Sequence, residues 1–305
     1  MKIAIVGAGA MGGLFGARLA LSGQEVSFVE ASEATIAAIQ RKGLQLVTPS
    51  ATERVMVPIG RAKDFAGTFD LVVIFTKGFH TDIAIESVRH LVGPTTWALS
   101  VQNGLGNAEL ISKVVPAERI IVGMTNLPAD LVEPGVVHSH GDGHINLWPW
   151  NGEDKSVARD IAETFQQAGL PCRADPEVQI AIWEKVAFNA ALNSVCAITR
   201  QTVGGVGDSE HGRSLTAGVI RETVEVANAL GVDAQASRVE HAVNHAFANH
   251  HQHKPSMLQD VEAKRKTEID FINGAVVERA NEQGIDTPVL SSLHSLVKLI
   301  EGAYL

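Results

Sequence analysis

Ile3-Ala4-Ile5-Val6-Gly7-Ala8-Gly9-Ala10-Met11-Gly12 is the stretch that decides the fold. Four apolar residues in succession suit a strand covered on both faces of a sheet, and residues 14–21 have the composition of a helix. A glycine-x-glycine-x-x-glycine loop joins the two. The first glycine permits a tight turn, the second lets the backbone approach a pyrophosphate, and the third allows helix and strand to pack closely. The helix N-terminus then turns free N–H groups toward the anion. A second strand over 25–29 delivers Glu30, 18 residues beyond Gly12, near the spacing at which a carboxylate meets an adenosine ribose. This order predicts dinucleotide binding, with Gly7, Ala8, Gly9, Ala10, Met11, Gly12 and Glu30 at the cofactor.

Glu30 also bears on which dinucleotide. A carboxylate accepts the ribose hydroxyls and repels a 2′-phosphate, and the following Ala31 and Ser32 supply no cation. NAD(H) is therefore favoured over NADP(H), although Arg41 or Lys42 could reach over. The competing reading makes Glu30 the N-terminal acid of the next helix.

Beyond this stretch, apolar runs at 71–75, 97–101 and 120–124 alternate with helix-type segments, the pattern of βαβ units and a mostly parallel sheet. The Gly- and His-containing stretch 136–148 suggests antiparallel additions at the sheet edge, and a helix over 155–168 closes this half. From Asp175 onward the spacing turns helical. The expected fold class is α/β: an N-terminal Rossmann-type parallel-sheet domain, 1–174, followed by an all-α C-terminal domain, 175–305, for substrate binding and dimerisation. Ser256 with Gln259 reads as a capping-box start; Gly284 and Asp286-Thr287-Pro288 read as one helix ending and another beginning.

A length of 305 residues suits two domains, and 45% hydrophobic against 19% charged residues excludes wholesale disorder. The net charge of -9, with acids in excess in both halves, argues against a nucleic-acid partner. Glycines interrupt the apolar start, so a signal peptide is not expected, and no apolar run approaches the ~20 residues of a membrane span. Cys172 and Cys196 are too far apart for a CxxC pair and too few for a four-cysteine zinc site, which fits a reducing cytoplasm.

The only tyrosine, Tyr304, lies at the C-terminus, so a Tyr-x-x-x-Lys proton donor is excluded. Another donor is offered by Trp183-Glu184-Lys185-Val186-Ala187-Phe188-Asn189-Ala190-Ala191-Leu192-Asn193. Lys185, Asn189 and Asn193 fall at i, i+4 and i+8, one helix face, amid apolar neighbours. A solvated polar stripe is the plainer alternative.

These residues resemble the ketopantoate reductases (2-dehydropantoate 2-reductases). The resemblance rests on GAGAMG, Thr76-Lys77, Gln102-Asn103-Gly104-Leu105-Gly106, Trp183-Glu184-Lys185 with Asn189 and Asn193, and Ser256-Met257-Leu258-Gln259-Asp260 continuing to Thr267-Glu268-Ile269-Asp270-Phe271-Ile272-Asn273-Gly274. It implies an active site in the cleft between a Rossmann and a helical domain. Lys185 would be the proton donor to the keto oxygen, and Asn103 would touch nicotinamide and substrate. Glu268 would hold the reacting hydroxyl region and contact the cofactor, and Ser256 would bind the substrate carboxylate. Asn189 and Asn193 would face the substrate, while Lys77 and Ala129 would line the cofactor site. Burial would make Lys185 a better acid and a nearby Glu268 would oppose it.

Val203 and His253 stand where the family carries asparagines, and the family's cofactor arginine is replaced by Glu30-Ala31. The expected activity is NAD(P)H-dependent reduction of a 2-oxo acid, 2-dehydropantoate to pantoate, by a cytoplasmic homodimer, with NADP(H) allowed by resemblance. Alternatives are an NAD-dependent D-2-hydroxyacid dehydrogenase acting on a less hydroxylated 2-oxo acid, and a non-catalytic dinucleotide sensor. His241, His245, His250, His251 and His253 lack an HExxH-like pattern, and His138, His140 and His144 are most simply exposed polar positions; no metal is expected.

Overall fold

The structure, a computed structural model, describes residues 1–151 and 155–305, which separate into two units: Met1–Gln102 with Asn107–Val178, and Asn103–Gly106 with Gln179–Leu305.

In the first unit β1 (Lys2–Val6), α1 (Ala10–Leu21) and β2 (Glu25–Val29) are followed by α2 (Glu33–Lys42), β3 (Leu44–Val47), β4 (Thr52–Val55) and β5 (Ile59–Gly60). Then come β6 (Leu71–Ile74), α3 (Thr81–Ser87), β7 (Trp97–Ser100), α4 (Asn107–Ile111) and β8 (Ile120–Thr125). The unit ends with β9 (Asp130–Glu133), β10 (Val136–His138), β11 (Ile145–Pro149), α5 (Lys155–Gln167) and β12 (Cys172–Ala174). Eight strands form one sheet in the order β12-β11-β8-β7-β6-β1-β2-β5. All pairs are parallel except β11 with β8, the antiparallel addition expected at that edge. The chain runs outward from β1 to β2 on one side and resumes at β6 on the other, so the loop after β1 lies at the topological switch point where such sheets bind ligands.

The buried strands carry the core: Ile3, Ala4 and Ile5 of β1 and all four residues of β6 are sealed from solvent. Phe15 of α1 packs edge-on against Phe75 and Phe165, at 4.8 and 5.6 Å between centroids, tying α1 to the end of β6 and to α5. Burying an aromatic this size contributes about 2–3 kcal/mol. A second sheet, β4-β3-β10-β9, was not expected. It places β10 parallel to β3 rather than at the edge of the main sheet, and Val137 would meet a Cβ at Gly13 of α1 at 2.6 Å.

The second unit is helical: α6 (Val178–Thr199), α7 (Val203–Gly207), α8 (Glu210–Ala229), α9 (Ala236–Asn249), α10 (Ser256–Glu262), α11 (Asn273–Gln283) and α12 (Pro288–Gly302). Ala187, Ala190, Ala191, Val195 and Cys196 bury α6 in its centre. Gly284 ends α11 and Pro288 opens α12 behind Thr287. The capping box at Ser256 does not form. Pro255, already extended at φ -59 and ψ 155, takes the cap position, Ser256 becomes the exposed first helical residue, and Gln259 Nε2 donates to Lys254 O at 2.9 Å. No helix among the described residues is long and apolar enough to cross a membrane.

Candidate active site

The first unit builds a dinucleotide cradle at the end of β1. Gly7 has φ +100, a conformation L side chains rarely adopt, and a Cβ there would press on the Phe75 carbonyl at 3.2 Å. At Gly12 a side chain would collide with the Gly7 carbonyl oxygen, and at Gly16 with the Phe28 ring of β2, so these glycines let α1 approach the loop and sheet. A Cβ on Gly9 meets nothing within 4 Å: the loop's outer face is open to a pyrophosphate.

Glu30 completes the cradle. Its Oε2 accepts the Ala8 N–H at 2.7 Å, and its Oε1 accepts those of Ala31 and Ser32, each at 2.8 Å. The competing reading fails, because α2 begins at Glu33 with Ser32 as its cap, the hydroxyl accepting from Thr35 N at 3.3 Å. A carboxylate held against the loop by three N–H donors stands at the strand end where Rossmann folds meet an adenosine ribose, so the residues present fit a nicotinamide dinucleotide.

Lys77 follows Thr76, whose backbone borders the Gly7 turn, which puts it at the same end of the sheet. The buried Thr76 hydroxyl has no hydrogen-bond partner among the described residues. Gln102, to which the sequence assigned no role, organises this end: Nε2 donates to Thr76 O at 2.7 Å and to Thr81 Oγ1 at 2.8 Å. Ala129 lies between β8 and β9.

The second unit gathers the groups expected at the substrate. Lys185, Asn189 and Asn193 share one face of α6, and none is exposed; Asn193 is only 5% exposed. The solvated-stripe alternative therefore fails. Burial lowers the Lys185 ammonium from 10.5 to about 8, while the Glu268 carboxylate opposes it. Burial wins the contest the sequence left open. Glu268 is itself buried. The loop 103–106 groups with this unit because Leu105 N–H donates to Phe271 O at 2.9 Å. Gly104, at φ +83, would drive any side chain into that carbonyl, so the glycine fixes Asn103 near the Glu268 segment. Asn273 Nδ2 reaches Ala190 O at 3.4 Å and Ser194 Oγ at 3.3 Å, tying the same segment to α6. A lone buried carboxamide between apolar residues was the available signal for it.

Val203 and His253 prove to be neighbours: Val203 N–H donates to His253 O at 3.0 Å, and the valine is 1% exposed. His241, His245, His250, His140 and His144 are exposed, whereas His138 in β10 is partly buried. Among the described residues no three metal-ligating side chains gather. Both cysteines are free, and burial pushes each thiol up to about 12.

A Rossmann sheet whose glycine loop is closed by a carboxylate at the end of its second strand, followed by a helical unit carrying an acidified lysine, defines a nicotinamide-dependent oxidoreductase. The chain belongs to the ketopantoate reductase family. Residues 3–152 match the family model for ketopantoate reductase PanE/ApbA, and residues 177–301 match that for its C-terminal part. It is 33% identical over 298 residues to a 2-dehydropantoate 2-reductase of Streptococcus pyogenes serotype M1, covering 97% of each chain. A Pyrococcus horikoshii 2-dehydropantoate 2-reductase is 34% identical over 306 residues, with 99% of this chain and 98% of the relative covered. Among solved structures, D-mandelate dehydrogenase with NADH and anilino(oxo)acetate superimposes with a TM-score of 0.95 at 29% identity, covering 100% of this chain and 99% of that one. The 2-dehydropantoate 2-reductase of Geobacter metallireducens gives 0.92 at 33%, covering 98% and 99%.

Proposed function

We propose that this protein reduces 2-dehydropantoate to pantoate, with Lys185 as proton donor and NADH as the preferred reductant. The observation that carries the reading is Lys185 itself: a buried ammonium brought down to about 8, on a helix face it shares with two carboxamides. When bound, the reduced nicotinamide supplies a hydride to C2 of the 2-oxo acid. Lys185 stabilises the developing charge on the keto oxygen and delivers its proton there. Asn103, Asn189 and Asn193 orient the substrate, the exposed Ser256 hydroxyl meets the carboxylate, and Glu268 holds the hydroxyl formed. Gly7 to Gly12, Lys77 and Ala129 hold the cofactor, and Glu30, pinned at the loop, favours NADH over NADPH. A second copy of the chain is the expected partner, in the cytoplasm, and a molecular mass by light scattering checks the dimer.

The test is a panel of 2-oxo acids assayed with both cofactors. The highest kcat/KM is expected with 2-dehydropantoate and NADH, and Lys185→Ala should lose about 100-fold or more in turnover with NADH affinity unchanged. No turnover on any 2-oxo acid would leave a dinucleotide-responsive binding protein, and a clear NADPH preference would overturn the reading of Glu30. Val203, buried and apolar where the family carries an amide, favours one further reading: a D-2-hydroxyacid dehydrogenase for less hydroxylated 2-oxo acids. The same panel separates the two, since that reading puts an apolar 2-oxo acid above 2-dehydropantoate.

A further inference from the structure

Glu268 sits in the bend between α10 and α11, a segment with no helix or strand of its own, and both of its flanks are gripped by α12. On one side the Thr267 N–H donates to Glu301 Oε1 at 2.6 Å. On the other, Asp270 Oδ1 lies 2.8 Å from His294 Nε2, and Oδ2 accepts from Lys298 Nζ at 2.8 Å. Lys298 also stands 3.2 Å from Glu301 Oε2, which links the two grips. His294, Lys298 and Glu301 recur at i, i+4 and i+7, one stripe of the helix. Gly274 leaves room for the ring, since a Cβ there would lie 2.9 Å from His294 Nε2. Glu301 is 2% exposed, and a carboxylate that deep is costly unless its partners are fixed. None of these groups has a part in the proton transfer.

We propose that His294, Lys298 and Glu301 are positioning residues, a brace on α12 that fixes the Glu268 carboxylate relative to Lys185. This rests on the reading that Lys185 delivers the proton. The bend is held from two directions, by α12 through Thr267 and Asp270 and by α6 through Asn273, so its backbone cannot shift without breaking hydrogen bonds, those on the α12 side charge-assisted. The charged groups of this set are Asp270, Lys298 and Glu301 within the brace, with the His294 ring against Asp270, and Glu268 beside Lys185. Coulomb attraction falls with distance, so a slackened brace lets Glu268 recede and removes part of what keeps the Lys185 ammonium protonated. The donor then loses its proton at lower pH.

The experiment is the pH profile of kcat/KM for 2-oxo acid reduction by the full-length enzyme, pH 6 to 10. His294→Ala and Lys298→Met should each lose about tenfold in kcat, and their basic limb should move acidward by about half a pH unit. His294→Gln can still donate to Asp270 and should restore the wild-type limb. A rate loss with the limb unmoved, or a limb not rescued by His294→Gln, overturns the brace. Should His294→Ala fail to fold, Lys298→Met, altered at a side chain that is 40% exposed, carries the same test. Lys185→Arg is the control: its limb should leave the measured range, and a wild-type limb that persists there overturns the proton-donor reading instead.

Discussion

Replacing Lys185 by methionine should make the protein more stable at neutral pH while abolishing its activity. The ammonium falls from 10.5 to about 8 because burial disfavours its charge. At about 1.36 kcal/mol per pH unit of displacement, the fold carries roughly 3 kcal/mol of strain from holding that charge at pH 7. Methionine has a similar reach and no charge, and the lysine's lost polar contacts return about 1 kcal/mol, leaving a net gain near 2 kcal/mol. The pH dependence has a definite sign. Between about 8 and 10.5 the unfolded chain holds the lysine proton and the folded chain does not, so wild-type stability rises with pH across that window. The advantage of the variant is therefore full below pH 8 and fades toward 10.5. Urea unfolding of both proteins side by side at pH 7, 8, 9 and 10 measures it, because every other titration cancels in the difference. A variant less stable than wild type at pH 7, or a difference that stays flat from 7 to 10, would show that Lys185 is not buried at a cost.

If Lys185 is the proposed proton donor, kcat/KM for reduction should fall about tenfold per pH unit above about 8, as the lysine loses its proton; a stopped assay over pH 6–10 reads it. Glu30→Ala removes the acceptor of three N–H groups and should raise the KM for NADH about tenfold while narrowing the preference over NADPH, measured by initial rates with each. Gly16→Ala forces a methyl into the Phe28 ring and should cost about 1–3 kcal/mol, seen as a lower denaturation midpoint. Gly104→Ala pushes against the Phe271 carbonyl and should displace Asn103, lowering kcat/KM about tenfold or more in initial-rate assays.

What the sequence made legible was local in the chain. β1, the glycine loop and Glu30 could be read because a buried parallel strand is a continuous apolar run and the turn after it leaves a glycine signature. The second sheet could not: Leu44-Gln45-Leu46-Val47 alternates over only four residues, and its parallel partner begins at Val136. Ser256 gave a false cap because Pro255 already supplies the extended backbone a cap requires. The grip of α12 on Thr267 and Asp270 joins segments about thirty residues apart through side chains to which the sequence assigned no role. Of the site, the residue types on α6 were visible, but their exposure was not, and exposure decides whether Lys185 is an acid or an ornament of the surface.

Acidity and availability pull a lysine in opposite directions, and the structure sets the balance. At 10.5 the ammonium would be present in full at pH 7 yet release its proton poorly; at about 8 it is a roughly 300-fold stronger acid and still about 90% protonated. Burial alone would drive it lower and thin the charged donor at neutral pH. The Glu268 carboxylate, which raises it, prevents that. Glu268 is thus needed beside Lys185 even where it touches neither hydride nor proton, and neutralising it by Glu268→Gln should move the basic limb of the rate profile acidward. That outcome would separate its electrostatic part from any hydrogen bond to substrate, because glutamine keeps the second and loses the first.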